Sequence, residues 1–171
     1  MAILEMKDVS FNPGTLDIIK NANMEIREGT ITEIYGSSGS GKSILLKLLA
    51  GIVIPTQGKV LYNGKDIESM SYHEDLHFRQ NCAFVFQNSA LWSNQTIGQN
   101  IMLPLQVHNP KMKLEERNER IQEVCKKVNY TKSLNVRPSD ISDGEQKKIA
   151  FARALVSEPE ILFLDECTAS L

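Results

Sequence analysis

Gly36-Ser37-Ser38-Gly39-Ser40-Gly41-Lys42-Ser43 satisfies the spacing G-x-x-x-x-G-K-[ST], and this one segment restricts the chain to a small set of folds. The pattern has meaning only as a strand–loop–helix turn. Its flanks have that character, because Ile31 to Tyr35 is a short β-prone run and Ile44 to Leu49 is an apolar segment of helical type. Glycines at 36, 39 and 41 let the backbone turn so that successive N–H groups face inward, and the start of the following helix adds its positive dipole end. A polyphosphate would then be held by backbone geometry. Lys42 would reach the β- and γ-phosphates as a point charge, and the Ser43 hydroxyl would ligate Mg²⁺. A Gly/Ser-rich linker has a similar composition, but the flanks argue against it.

The rest of the composition excludes more than it assigns. A length of 171 residues suits one domain that buries roughly two thirds of its unfolded surface. A net charge of −2 offers no basic field, so neither nucleic acid nor an anionic membrane surface is indicated as a partner. Cys82, Cys125 and Cys167 are far apart and lack C-x-x-C spacing, which gives neither a disulfide framework nor a zinc site. Charges stand too early at the N-terminus for a signal-peptide core, and no apolar run approaches the ~18 residues of a membrane span. A soluble, cytoplasmic chain is the expectation.

Before the phosphate loop, Ile3 to Phe11 and Ile18 to Ile26 read as strands joined by the turn Asn12-Pro13-Gly14-Thr15. After the loop helix, Lys59 to Tyr62 reads as a strand followed by the strong turn signal Asn63-Gly64, and Ser71 to Gln80 as a polar helix. The run Cys82-Ala83-Phe84-Val85-Phe86 reads as a buried strand that delivers Gln87 at its carboxyl end. From Asn100 to Leu134 the pattern is that of a helical insertion, with Leu114, Ile121, Val124, Cys125 and Val128 on or near one face. Ser142 opens a helix that runs through Ile149, Ala152 and Leu155 until Glu158-Pro159 stops it.

Ile161-Leu162-Phe163-Leu164 then reads as a buried strand that delivers Asp165 and Glu166 at its carboxyl tip. Burying a carboxylate there is costly unless a cation or donors meet it. A Mg²⁺ shared with Ser43 would supply the reason for Asp165, and Glu166 could polarise an attacking water. Ser142-Asp143-Gly144-Glu145 reads as a capping box, and equally as a second helix-terminus anion site.

Taken in order, the phosphate loop, Gln87, the stretch from Ser142 to Leu155 and the strand ending at Glu166 resemble the ATPase subunit of ABC transporters over essentially the whole chain. The resemblance implies an α/β fold, a P-loop NTPase core with an N-terminal antiparallel β subdomain and a helical insertion. In those terms residues 1–93 and 136–171 form the nucleotide-binding core and 94–135 the helical subdomain of a single domain. ATP and Mg²⁺ are the implied cofactors. Gly36, Ser37, Ser38, Gly39, Ser40, Gly41, Lys42, Ser43 and Ile44 would hold the nucleotide, Ser43, Gln87 and Asp165 the metal, and Lys42, Gln87 and Glu166 would serve catalysis. Ser142 and Gly144 would act in trans on the γ-phosphate held by a second copy, in a head-to-tail homodimer. The implied partner is a transmembrane permease that places the chain on the inner face of the cell membrane. The stretch from Phe86 to Leu105 is similar to the Mla-type lipid-transport ATPases and, more loosely, to exporters of the lipoprotein-release and macrolide types, and the first likeness implies a lipid or another hydrophobic cargo.

Several positions depart from the family pattern. Asp143 stands where a glycine is usual, Ile44 where a threonine is usual, Pro13 near an expected aromatic and Cys167 in place of a proline. The sequence ends at Thr168-Ala169-Ser170-Leu171, inside the implied D-loop, and His73, His77 and His108 all precede the last strand, where none can be the family's switch histidine. The expectation for the 171-residue chain alone is therefore weak Mg-ATP binding without useful turnover. Two other readings stand beside the transport ATPase: a catalytically silent nucleotide-binding module, and a soluble ABC ATPase without a transport role.

Overall fold

β1 (Ala2–Phe11) buries Leu4 and Met6 by period-two alternation, and then Val9, out of step with them. A break in register between Met6 and Val9 explains the change, with Asp8 in the left-handed conformation at φ 51. The neighbouring strand accommodates that break at Gly58, where a Cβ would sit 2.3 Å from the Asp8 carbonyl oxygen, so only glycine fits. The structure, a computed structural model, describes residues 2–167. The expected D-loop at 168–171 lies outside them.

The chain divides into two units, Met1–Phe78 and Arg79–Leu171. In the first, β1 pairs antiparallel with β2 (Ile19–Arg27) and with β3 (Gln57–Tyr62), and β3 pairs with β4 (Lys65–Asp66), giving the order β2-β1-β3-β4. Asn63 and Gly64, at φ 50 and 79, make the two-residue hairpin that the Asn-Gly pair signals. α1 (Lys42–Leu49) buries Leu48 and Leu49, and α2 (Tyr72–Asn81) buries Phe78, whose ring centroid lies 5.0 Å from that of Tyr62. Each fully buried Leu or Phe contributes about 1.5–3 kcal/mol relative to exposure.

In the second unit β5 (Cys82–Val85) and β6 (Ile161–Leu164) pair in parallel, residue by residue from Cys82 with Ile161 to Val85 with Leu164. Three helices accompany them: α3 (Ile97–His108), α4 (Leu114–Lys127) and α5 (Asp143–Leu155). Ile97, Ile101 and Leu105 of α3 meet Ile121 and Val124 of α4 and Ile149 and Ala152 of α5 in one apolar cluster. The opposite side of α5 offers Ala150 and Ala154, small residues that let it lie close on Val85 of β5. Among the described residues no helix is long and apolar enough to cross a membrane.

Three expectations need correction. The β-prone run at 31–35 is irregular, with Ile31 and Tyr35 exposed, because a strand requires a partner ladder as well as a propensity and none pairs with it among the described residues. Leu114 is exposed rather than on the buried face, since it opens α4 ahead of the turns that pack through Ile121 and Val124. β6 is buried only at Ile161 and Phe163, and Leu164 stands 42% exposed. α3 was not separable as an element from the sequence because Pro104 lies inside it, yet a complete capping box between Thr96 and Gln99 fixes its start.

Candidate active site

The phosphate loop is an exposed turn leading directly into α1. Gly39 and Gly41 have φ of 78 and 89, and the Ser40 N–H donates to the Ser37 carbonyl at 3.2 Å. A Cβ on Gly41 would press on Ile18 and Ile19 at 3.0–3.3 Å, so glycine there is required by space as well as by φ. α1 has no side-chain cap and no acidic residue in its first turn. With no side chain or acid placed over that end, the positive end of the helix dipole can favour an anion from outside the helix. The Lys42 ammonium folds over the loop and donates to the carbonyls of Gly36 at 3.1 Å and Ser37 at 2.9 Å. Two of its three donors are engaged there, in the same turn a phosphate would occupy.

In the second unit the parallel pair delivers the other expected residues to one edge. The Asp165 N–H donates to the Val85 carbonyl at 3.0 Å, extending the β5–β6 ladder by one bond. Asp165 is buried, while Glu166 is exposed and left-handed at φ 44. Such a conformation costs a non-glycine residue roughly 1–2 kcal/mol. Gln87 Nε2 donates to Glu166 Oε2 at 2.7 Å, joining residues 79 positions apart. Both lie at the carboxyl ends of parallel strands, where open α/β sheets place their ligands.

Ser142 caps α5, as its spacing with Glu145 predicts. Its hydroxyl accepts from the Glu145 N–H at 3.4 Å and donates to the Glu145 carboxylate at 3.1 Å, while its own N–H donates to the same oxygen at 3.0 Å. Lys132 closes the cluster, with Nζ 2.7 Å from Glu145 Oε1. The bond from Lys132, aided by the Ser142 N–H, holds the Glu145 carboxyl at about 2, below its usual 4.5. A depressed carboxyl contributes stability that is fully present above pH 4.5 and is lost as pH falls towards 2. We therefore expect an NMR titration of Glu145 to have its midpoint well below 4.5 and Lys132→Ala to move it upward. A wild-type midpoint at the ordinary value would contradict the cluster.

Sequence reasoning missed Arg153, which sits on α5 and donates through Nη1 to the Ala90 carbonyl and through Nη2 to the Ser89 carbonyl, both at 2.8 Å. Ser89 and Ala90 are consecutive left-handed residues at φ 61 and 45, two and three positions after Gln87. The available signal was an arginine among Ala152, Ala154 and Leu155 on an apolar helix, a charge whose burial demands acceptors.

Comparison with known proteins adds an independent line. Residues 19–169 match the family model described as ABC transporter. The chain is 37% identical over 159 residues to the methionine import ATP-binding protein MetN of Geobacillus kaustophilus, covering 92% of this chain and 46% of that protein. It is 39% identical over 154 residues to the lipoprotein-releasing system ATP-binding protein LolD of Buchnera aphidicola, covering 90% and 66%. The chain thus spans about half the length of MetN. Among solved structures, the dimeric ATP-binding cassette MJ0796, in a post-hydrolysis state bound to ADP and Pi, superposes with a TM-score of 0.90 at 31% identity, covering 98% of this chain and 75% of that one. CbiO1 of Clostridium perfringens, part of the ABC transporter complex CbiONQ, has a TM-score of 0.80 at 31% identity, covering 99% and 67%. By family match, identity and fold alike, this chain belongs to the ABC transporter ATP-binding family.

Proposed function

We propose that the chain binds and hydrolyses ATP as the energising subunit of a membrane transporter. The observation that carries this reading is the uncapped start of α1 behind the 36–43 turn, with Lys42 folded over it. Backbone N–H groups from Gly36 to Ile44 would hold the phosphates, with Lys42 moving from the loop carbonyls to the β- and γ-oxygens. Glu166 would orient and polarise the attacking water, and Gln87 would hold its carboxylate in place.

Ser43, Asp165 and Gln87 offer a hydroxyl, a carboxylate and an amide carbonyl, an all-oxygen donor set of the kind Mg²⁺ takes. The Gln87 Nε2 is spent on Glu166, which leaves Oε1 as the amide atom for a metal. Bound Mg²⁺ would neutralise charge on the phosphates. The dimeric MJ0796 cassette bound to ADP and Pi supports a homodimer, in which Ser142 and Gly144 would meet the γ-phosphate held by a second copy. CbiO1, as part of a transporter complex, supports a permease partner and with it a peripheral position on the inner face of the membrane. Residues 94–135, which carry α3 and α4, would be the helical subdomain, and 1–93 with 136–171 the nucleotide-binding core. A lipid or other hydrophobic cargo draws support from LolD, whereas MetN is named for methionine import.

Asp143 gives this reading a direct test. It occupies the exposed first turn of α5, where a carboxylate would face an incoming phosphate as a like charge. Asp143→Gly in the full-length protein should tighten the ATP-driven dimer roughly threefold to tenfold, with the larger gain at low salt, as for exposed charges generally. Light scattering with and without ATP measures it. A protein that stays monomeric with ATP in both forms would overturn the proposed dimer.

A further inference from the structure

We propose that Arg153 is a positioning residue. Its guanidinium, clamped on the carbonyls of Ser89 and Ala90, fixes the turn that follows Gln87 and so keeps the Gln87 carboxamide on Glu166. The inference rests on the catalytic reading of Glu166 given above, but its geometry stands without it.

The span from Val85 to Ser89 is held at both ends. At one end the Val85 carbonyl accepts from the Asp165 N–H, and at the other the Ser89 carbonyl accepts from Arg153. Gln87 lies midway between these anchors and reaches Glu166 at 2.7 Å. The distal anchor has work to do, because Ser89 and Ala90 both occupy the left-handed region without being glycine. Their own turn bonds, Ser89 N–H to the Phe86 carbonyl at 3.0 Å and Ala90 N–H to the Asn88 carbonyl at 2.7 Å, are local and leave both carbonyls to be satisfied from elsewhere. Ser89 is buried, so its carbonyl cannot rely on bulk water.

A guanidinium suits this task and an ammonium does not. The planar fork presents two N–H groups at a fixed separation, which matches two carbonyls one residue apart, whereas lysine is a single mobile point charge. Burial pushes the Arg153 pKa down from its usual value, in keeping with a guanidinium withdrawn from water and facing carbonyl dipoles. Arg153 also stands near the far end of the helix that Ser142 caps.

Arg153→Lys keeps the stem and the charge but loses the fork. Hydrogen exchange across residues 86–92 should rise at least about tenfold in this variant, since the turn's opening is no longer opposed. Turnover in the full-length protein should fall at least about tenfold with the KM for ATP within about twofold, the pattern of a lost transition-state arrangement. Adding Ala90→Gly should recover at least half of both losses, because glycine takes the left-handed conformation without the clamp, and Ala90 is exposed and packs little. Unchanged exchange in Arg153→Lys would overturn the proposal. A loss that Ala90→Gly leaves untouched would also overturn it, assigning Arg153 to helix packing alone. If exchange responds as stated while wild type and variant both lack turnover, the clamp stands and the catalytic reading of Glu166 fails.

Discussion

Glu166→Gln in the full-length protein is expected to keep ATP bound and to lower turnover by about 10² or more, the range contributed by a positioned acid–base group. The substitution removes a charge and a proton acceptor while leaving the shape, and its amide oxygen can still accept from Gln87 Nε2. Neither the phosphate loop nor Asp165 is touched, so affinity for Mg-ATP should stay within about twofold of wild type. Blocked hydrolysis should also let an ATP-bound dimer accumulate, visible by light scattering. Phosphate release and calorimetric ATP binding, measured on the same preparation, separate the two effects. Turnover within threefold of wild type would remove Glu166 from the chemistry.

Lys42→Ala is expected to weaken nucleotide binding roughly 10- to 100-fold, because a charge-assisted hydrogen bond is worth about 1.5–3 kcal/mol. The backbone cradle and the uncapped helix start remain, so binding is reduced rather than abolished. Without nucleotide the variant should melt close to wild type, since the Gly36 and Ser37 carbonyls that lose Lys42 lie in an exposed turn and can take water. The ligand-induced shift is the informative quantity. ATP at 100 times the wild-type Kd stabilises wild type by about 2.7 kcal/mol, and a 100-fold weaker variant by only ~0.4 kcal/mol. Equal thermal shifts would show that Lys42 never leaves the loop carbonyls.

What the sequence made legible follows from how local each interaction is. The 36–43 turn, the Ser142–Glu145 cap and the Asn63-Gly64 hairpin are written in a few consecutive residues, and the structure has all three. The carboxyl-end positions of Gln87 and Glu166 were legible because each ends an apolar run, although the 2.7 Å bond between them was not. Residues 31–35 show the limit of propensity, since β-prone side chains do not supply a ladder. Arg153 shows the limit of motif reading. It lies inside the most recognisable stretch of the chain, yet its partners at 89 and 90 are more than 60 residues away and are reached through backbone carbonyls that carry no sequence signal. Gly58 is the same case in reverse, a residue dictated by the approach of Asp8 from another strand.

Phosphate release from Mg-ATP by the full-length protein, run beside its Lys42→Ala and Glu166→Gln variants, bears most directly on the proposal that this chain hydrolyses ATP at the residues named. The expected result is turnover in the wild type that falls steeply in both variants, with ATP still bound by Glu166→Gln. Phosphate release that is indifferent to Lys42 and Glu166, or absent from a wild type that binds ATP normally, would contradict it.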